Sequence, residues 1–473
     1  MGSSKKPKKI IVSYWYGATM QFGLCYGPVD AVTEVRVADR TAWSGSQTVS
    51  GDIDIDKTEL FGGKSKEGGI DGTLSIKMGE ASQSTSGFPG PSPVPAYRGV
   101  LCTVFRGFFA AGNPYLKPWA FQVRRILKGW NNDVAWYPEK AEITLGGIKH
   151  ANPAHIIYES LTNPEWGMGY PTTSMDDAAF RAAALALHGE GFGISLTWNQ
   201  QGTIQQFIGE ILDHCHGVVR NNPVTGQFVL KLIRDDYDAE ALDIYDEDDI
   251  IQVEEYTRAS WGETVNEITV KFVEQTNGKV TAITVHDLAN IAAQGGTVIS
   301  RTQQYEGIPT FGLANRVAMR DLKMSSSPIA RFRFTINRRA WDKLPADVIK
   351  LRIPSLGVND VVVRVMDVGI GSLESNVVTI SAVEDVFAIP DASYVGQNLT
   401  GWTDPASTPL DSPFVYLTEA SYWTITRLAS RADLDYMLPD DCFLTVLSQK
   451  ANADATGYGI WSKLNADPDY EIY

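Results

Sequence analysis

The chain has 473 residues, of which 44% are hydrophobic and 21% charged; that is enough for about three domains and a sizeable core, with the balance of an ordinary globular protein. Its 56 acidic residues outnumber its 41 basic ones and leave a formal net charge of -15. Electrostatic capture of nucleic acid or of an anionic membrane needs the opposite surplus, and no apolar run reaches the roughly 18 residues of a membrane-spanning helix.

The start, MGSSKKPKKI, is basic. Only Ile10-Ile11-Val12 follow as an apolar stretch, too short for a signal-peptide core, so residues 1–9 read as a disordered basic arm. Residues 10–150 read as a first β-rich domain. Its first strand signal lies in 22–43, FGLCYGPVDAVTEVRVADRTAW. Gly27-Pro28 marks a turn, Val35 and Val37 point inward, Glu34, Arg36 and Ala38 point outward, and Trp43 anchors the strand end. Further short alternating segments follow at Asp52–Asp56, Gly72–Met78, Val100–Phe105, Phe121–Ile126 and Ala141–Leu145. The Ser/Pro/Gly-rich stretch 82–95 reads as a long exposed loop.

Residues 151–250 read as a small α+β domain and an acidic link. Asn152-Pro153 is an N-cap with Pro at the first helical position, and Ala154, Ile157, Tyr158 and Leu161 share one face. Ser174 with Asp177 reads as a capping box, followed by the stripe Phe180, Ala183, Ala184 and Leu187 up to Gly189. Thr203 with Gln206 opens a third helix, striped by Ile204, Phe207, Ile208, Ile211, Leu212 and Cys215 and ended by Gly217. A hairpin joins Val218–Arg220 to Phe228–Ile233. The link, 235–250, carries Asp235, Asp236, Asp238, Glu240, Asp243, Asp246, Glu247, Asp248 and Asp249.

Residues 251–395 return to β. Ile268–Val273 and Lys279–Val285 flank Asn277-Gly278, a strong hairpin signal, and Phe311–Lys323 has helical periodicity. Phe332, Phe334 and Ile336 alternate with Arg331, Arg333 and Thr335. Val348–Ile353, Val361–Val368 and Val377–Val383 complete the set. The last two runs are nearly continuous, as in strands buried on both faces. Residues 396–473 hold short strand-like runs and many aromatics, a C-terminal β region. The chain stops at Tyr470-Glu471-Ile472-Tyr473, which reads like the middle of a strand, so the natural polypeptide is expected to continue.

Candidate chemistry is sparse. The four cysteines, Cys25, Cys102, Cys215 and Cys442, are scattered without a C-x-x-C pair, as for reduced thiols rather than a disulfide framework or zinc ribbon. His214-Cys215-His216 suggests a metal, but side chains two apart on a helix diverge, and a helix end, where the dipole favours a histidine, is the better account. Asp52, Asp54 and Asp56 project from one strand face and read as solvated. Asn452, Asp454, Thr456 and Gly457 begin a calcium-like loop, but Lys463 stands where a bidentate Glu is needed. No G-x-S-x-G, H-E-x-x-H, phosphate-binding G-K-[ST] or G-x-G-x-x-G pattern occurs. A carboxylate pair for glycoside hydrolysis has no sequence spacing to betray it. The alternation of Arg331 and Arg333 with Phe332 and Phe334 puts the aromatics opposite the arginines, which favours core packing over nucleic-acid binding. Arg316, Arg320 and Lys323 form a basic helix stripe, read as a solvated or subunit-facing side. No catalytic, cofactor-binding or metal-ligating residue is assigned.

Several pieces, taken in order, carry a resemblance. Tyr14-Trp15-Tyr16 with FGLCYGPVD and TAWSG, NPAHIIYESLTNPEWGMG (152–169), SMDDAAF, the third helix, GQFVLKLI, VNEITVKF (265–272) and VEDVFAIP (383–390) resemble the tail tip or baseplate hub proteins of long-tailed phages. That family includes the tip attachment protein of lambda-like phages and the hub protein of gene transfer agents. The likeness covers about residues 10–410 and rests on the ordered series.

The resemblance implies an α+β, mainly β chain: two tail-tube-like β-domains, an intervening small α+β domain and a C-terminal β region. It implies a homotrimeric ring that adapts a hexameric tail tube, or a distal tail protein, to a threefold tip or central fibre. Such a ring closes the tube, meets the tape measure protein and C-terminal tip modules, and lets DNA pass at infection. It implies a virion protein assembled in the bacterial host cytoplasm, without enzymatic activity or cofactor. The host envelope would be contacted indirectly, and DNA would not be stably bound; a negative channel wall would repel it. A tail-associated cell-wall hydrolase and a receptor- or carbohydrate-binding adhesin remain the alternatives.

Overall fold

The computed structural model describes residues 14–388, apart from 64–65, 91–92, 113–115, 131–133, 200–201 and 372–374, and short stretches between 395 and 472. The basic arm, Cys442 and the loop from Asn452 lie outside the described residues. Contacts divide the chain into Met1–Gln397 and Asn398–Tyr473. The first unit is built around three hydrophobic cores.

The first core lies between two antiparallel sheets made by β1 (Tyr14–Tyr26), β2 (Ala31–Val37), β3 (Arg40–Gln47), β4 (Gly51–Lys57), β5 (Ile70–Lys77), β6 (Val100–Ala111) and β7 (Trp119–Arg124). One sheet has the order β1-β6-β5-β4 and the other β3-β2-β7. Period-two patterning dictates what goes inside: Val35 and Val37 from β2, Ile53 and Ile55 from β4, Leu74 and Ile76 from β5, and Leu101 and Phe105 from β6 share the core. Gly27 lies so close to the next turn that a Cβ there would stand 2.7 Å from the Gly79 Cα. The acid that follows has a structural task. The Asp30 carboxylate accepts hydrogen bonds from the backbone N–H groups of Ile126, Leu127 and Lys128, tying the entry of β2 to the exit of β7.

The 82–95 loop is not simply exposed. Gln83 is buried; its Oε1 accepts from Gly79 N at 2.7 Å, and its Nε2 donates to the carbonyls of Ala96 and Tyr97. Lys77 donates to Ser84 Oγ, Arg106 to Gly87 O, and Ser86 Oγ to Gln21 Oε1. The loop therefore lies over β1, β5 and β6. Most of its described residues are exposed, as a polar, Ser-rich composition predicts, while Gln83 and Ser86 turn inward.

The second core begins with the hairpin β8 (Glu142–Leu145) and β9 (Ile148–Ala151), then α1 (Pro153–Thr162), α2 (Asp177–Gly189), α3 (Ile204–Cys215) and the hairpin β10 (Gly217–Asn221) and β11 (Phe228–Leu232). Asn152 caps α1 by accepting from Ala154 N. The Thr203–Gln206 capping box of α3 is present in both directions. The α2 cap is not Ser174 but Asp176, which accepts from Ala179 N. Ser174 is used up in a one-turn 3-10 helix, Thr172–Ser174, so the α-helix starts two residues later. Every residue of the α2 stripe, Phe180, Ala183, Ala184 and Leu187, is buried.

The acidic link is structured. It holds β12 (Ile244–Asp246), and the chain continues through β13 (Ile250–Arg258), β14 (Glu267–Glu274), β15 (Lys279–His286), α4 (Leu288–Ala293), β16 (Ser300–Gln304), α5 (Phe311–Ser326), β17 (Ala330–Asn337), β18 (Val348–Ile353), β19 (Val358–Gly369) and β20 (Val377–Glu384). The hydrophobic core of α1–α3 continues without a break into Ile268, Val270 and Phe272 of β14, Ile283 and Val285 of β15, and Leu313, Val317 and Leu322 of α5. Residues 251–395 thus contribute to two cores. β16 pairs parallel with β14, and the other strands form a six-stranded sheet, β12-β18-β19-β20-β17-β13, around Phe332, Phe334, Ile349, Leu351, Val363 and Ile380.

That sheet must curl. Its outer strands β12 and β13 are consecutive in the chain, and the four Cα steps from Asp246 to Ile250 span at most about 15 Å. Six strands laid flat would separate them by about 24 Å. β20 alternates buried Val378, Ile380 and Ala382 with half-buried Thr379, Ser381 and Val383, so it is not buried on both faces as its apolar run suggested. β19 is buried through Val362–Val365, and this run includes a charge, Arg364. The Arg364 guanidinium meets the Asp385 carboxylate at 2.7 Å, with both side chains almost wholly enclosed. It also donates to the carbonyls of Ala346 and Arg234. In the second unit, residues 415–419 pair antiparallel with residues 444–448.

Removing one partner of a buried ion pair strands the other. Asp385→Ala is expected to cost about 3–5 kcal/mol, read as a lowered midpoint in urea unfolding.

Candidate functional site

The histidine pair at the end of α3 does not converge. His214 is buried, and its Nδ1 lies 2.6 Å from Glu210 O. Its Nε2 accepts from Gly307 N at 3.0 Å. Both ring nitrogens are engaged by backbone, which fixes the tautomer with the proton on Nδ1. His216 caps the helix in the left-handed region at φ 52. Burial, with the nearby arginines Arg320, Arg234 and Arg364, pushes its pKa down to about 3. Cys215 between them is wholly buried, and burial pushes its thiol up to about 12, the profile of an inert packing residue. Cys102 is buried too, whereas Cys25 is half-buried. Among the described residues no cluster of His, Cys, Asp and Glu has metal-holding geometry. Asp52, Asp54 and Asp56 are exposed on β4, as expected.

Two residues of the basic stripe of α5, exposed Arg316 and half-buried Arg320, reach the ends of other helices. Arg316 donates to the carbonyls of Glu190 and Gly191 at the end of α2. Arg320 donates to those of His214 and Asp213 at the end of α3. Helix C-termini leave carbonyls unpaired and carry the negative end of the dipole, so these arginines cap two helices from outside. Arg331 and Arg333 are exposed while Phe332 and Phe334 are buried, as strand alternation predicts. Arg333 and Thr335 both donate to Glu254 of β13. The link carboxylates are also taken up: Asp243 pairs with Lys343 and Asp249 with Arg339, and Glu247 accepts from Ser355 N.

A cleft of about 410 Å³ opens between α3, β16 and α5, lined by Glu210, Asp213, Arg301, Tyr305, Arg320 and Asp321 among others. The Tyr305 hydroxyl donates to Asp321 Oδ2 at 2.6 Å, and burial beside that carboxylate raises the phenol pKa. Glu210 is raised by burial and by the charges of Glu306 and Asp213; Asp213 is raised by burial and partly relieved by Arg320. Of its acids, Asp321 is held on both oxygens, by the Tyr305 hydroxyl and by Arg320.

The surface that stands apart is the outer edge of β1. This strand, YWYGATMQFGLCY, has no charged residue and no buried one. It is the end strand of its sheet, and no described strand pairs with its outer side. Tyr14, Trp15, Tyr16 and, from β6, Phe108 are exposed. Open edges are normally short, charged or covered. The opposite edge, β4, carries its row of aspartates; β1 has no such guard.

Residues 203–368, from the start of α3 into β19, match the family model described as "Putative phage tail protein". Among solved structures, a chain of the virion of a native gene transfer agent particle is similar at 15% identity and a TM-score of 0.49, covering 81% of this chain and 83% of that one. The tail protein from Neisseria meningitidis MC58 is 12% identical with a TM-score of 0.31, covering 75% of this chain and 96% of that one. The 43 kDa tail protein of prophage MuSo2 from Shewanella oneidensis is 11% identical with a TM-score of 0.31, covering 76% and 100%. No curated protein matches the chain. The resemblance to phage tail proteins read in the sequence agrees with the family model, and the α+β, mainly β fold is as expected.

Arg320→Ala is expected to uncap α3 and cost about 1–3 kcal/mol, read by urea unfolding. Arg320→Lys recovers only part of it, because one ammonium cannot copy the planar fork.

Proposed function

We propose that this chain is a structural component of a phage tail, working as a hub at its tip. The observation that carries the reading is the phage-tail family match over residues 203–368, joined by the ordered sequence resemblance outside that segment. In this reading three copies form a ring that adapts a hexameric tube to a threefold tip or fibre, closes the tube, and opens for DNA. The chain has no catalytic role. It belongs to the virion, assembles in the host cytoplasm, and meets the tube or distal tail protein, the tape measure protein and the tip modules.

The physical support is what the sheets leave unsatisfied. A 13-residue uncharged edge strand exposes a row of backbone donors and acceptors, and a neighbouring copy of the chain is the partner that would cover it in a ring.

The test is the mass of the purified chain by light scattering beside negative-stain images. The reading expects a trimer with an axial opening, and expects Tyr14→Lys with Trp15→Lys to shift it to monomer without changing the circular dichroism spectrum. Particles that assemble complete tails without this chain would contradict it.

A further inference from the structure

We propose that the contact between His214 and Gly307 is an acid-released latch holding α3 against the connection between β16 and α5. It does not depend on the tail reading. The geometry leaves one protonation state. His214 Nδ1 must carry a proton to donate to Glu210 O, 2.6 Å away, and Nε2 must be bare to accept from Gly307 N at 3.0 Å. A proton added to Nε2 would set two N–H donors against each other. The packing gives no room to turn aside: a Cβ on Gly307 would already stand 3.0 Å from His214 Nε2 and 3.2 Å from Leu196. The imidazole is 1% exposed, and the Tyr305 ring meets it edge-on at 5.1 Å.

The groups around the ring favour release rather than a silent proton. Burial, the largest effect, lowers the pKa below its ordinary 6.5, and Arg320 of α5 lowers it further; the hydrogen bond to Glu210 O, Glu306 of the connection and Asp321 of α5 oppose this without reversing it. Glu210 and Asp213 of α3 and Arg301 of β16 line the cleft on the open side. Once Gly307 moves off, the imidazolium faces that open cleft and its carboxylates. The open form then holds the proton better than the closed one. The latch contribution is therefore complete above about pH 6.5 and is lost as pH falls toward the closed-state pKa, by at most about tenfold in the opening equilibrium per pH unit.

Hydrogen exchange of the full chain tests this. After correction for intrinsic exchange chemistry, peptides covering residues 305–308 are expected to lose protection by up to about tenfold per pH unit between pH 6.5 and 5. His216→Asn, which tolerates the left-handed backbone, should keep that loss. His214→Gln, able to donate and accept without titrating, should abolish it. Protection in the wild-type chain that is unchanged over this range would overturn the latch without recourse to any variant. So would an undiminished loss in His214→Gln, or one abolished by His216→Asn.

Discussion

Arginine side chains hold the hydrophobic cores to one another, and the rest of the first unit depends on them. Arg125, just past β7, grips Glu159 of α1 with both guanidinium arms and donates to Gly129 O. Arg36 of β2 reaches Thr276 O and Asn277 O at the tip of the β14–β15 hairpin. On the other side, Arg220 of β10 reaches Asp347 and Pro345 O. Arg234 forks onto Glu190 and donates to Cys215 O. Arg364 then donates to the carbonyl of Arg234 itself. A planar fork satisfies a carboxylate and a carbonyl together, and each seam lies where helix ends and turns leave such oxygens bare. These contacts do at the seams what apolar packing does inside the cores.

Local signals were legible in the sequence. The caps Asn152 and Thr203, the stripes of α1 to α3, the Asn277-Gly278 hairpin and the alternation along 331–336 depend on residues within a few positions of one another, and the structure has them all. What was not legible depends on partners far along the chain. Asp30 follows the Gly27-Pro28 turn with no local sign of its role, because its three backbone donors lie 96 to 98 residues away. Gln83 is buried inside a Ser-rich loop, and Arg316 and Arg320 of the basic stripe bind carbonyls 106 to 126 residues away. Periodicity shows which side of a helix is polar. It does not show that the polar side will meet the exposed carbonyls of another helix.

The same logic accounts for the charged and reactive side chains of the interior. Charged groups in the interior, from Arg364 and Asp385 to Asp30, are spent on positioning backbone. His214 and Cys215, the residues that most resembled chemistry, are engaged in holding α3 in place. What the fold leaves unspent is surface: the uncharged edge of β1 and its aromatic end. That distribution, tied interiors and a long uncharged edge, suits a chain whose task is to assemble.

The central claim is that arginine seams make residues 14–388 one cooperative body despite three separate cores. The most direct measurement is hydrogen exchange through a urea titration, following peptides from β4–β5, α1–α2 and β17–β20 in one sample. The account predicts that all three regions lose protection at the same midpoint. Well-separated midpoints, with one core unfolding while the others stay protected, would contradict it.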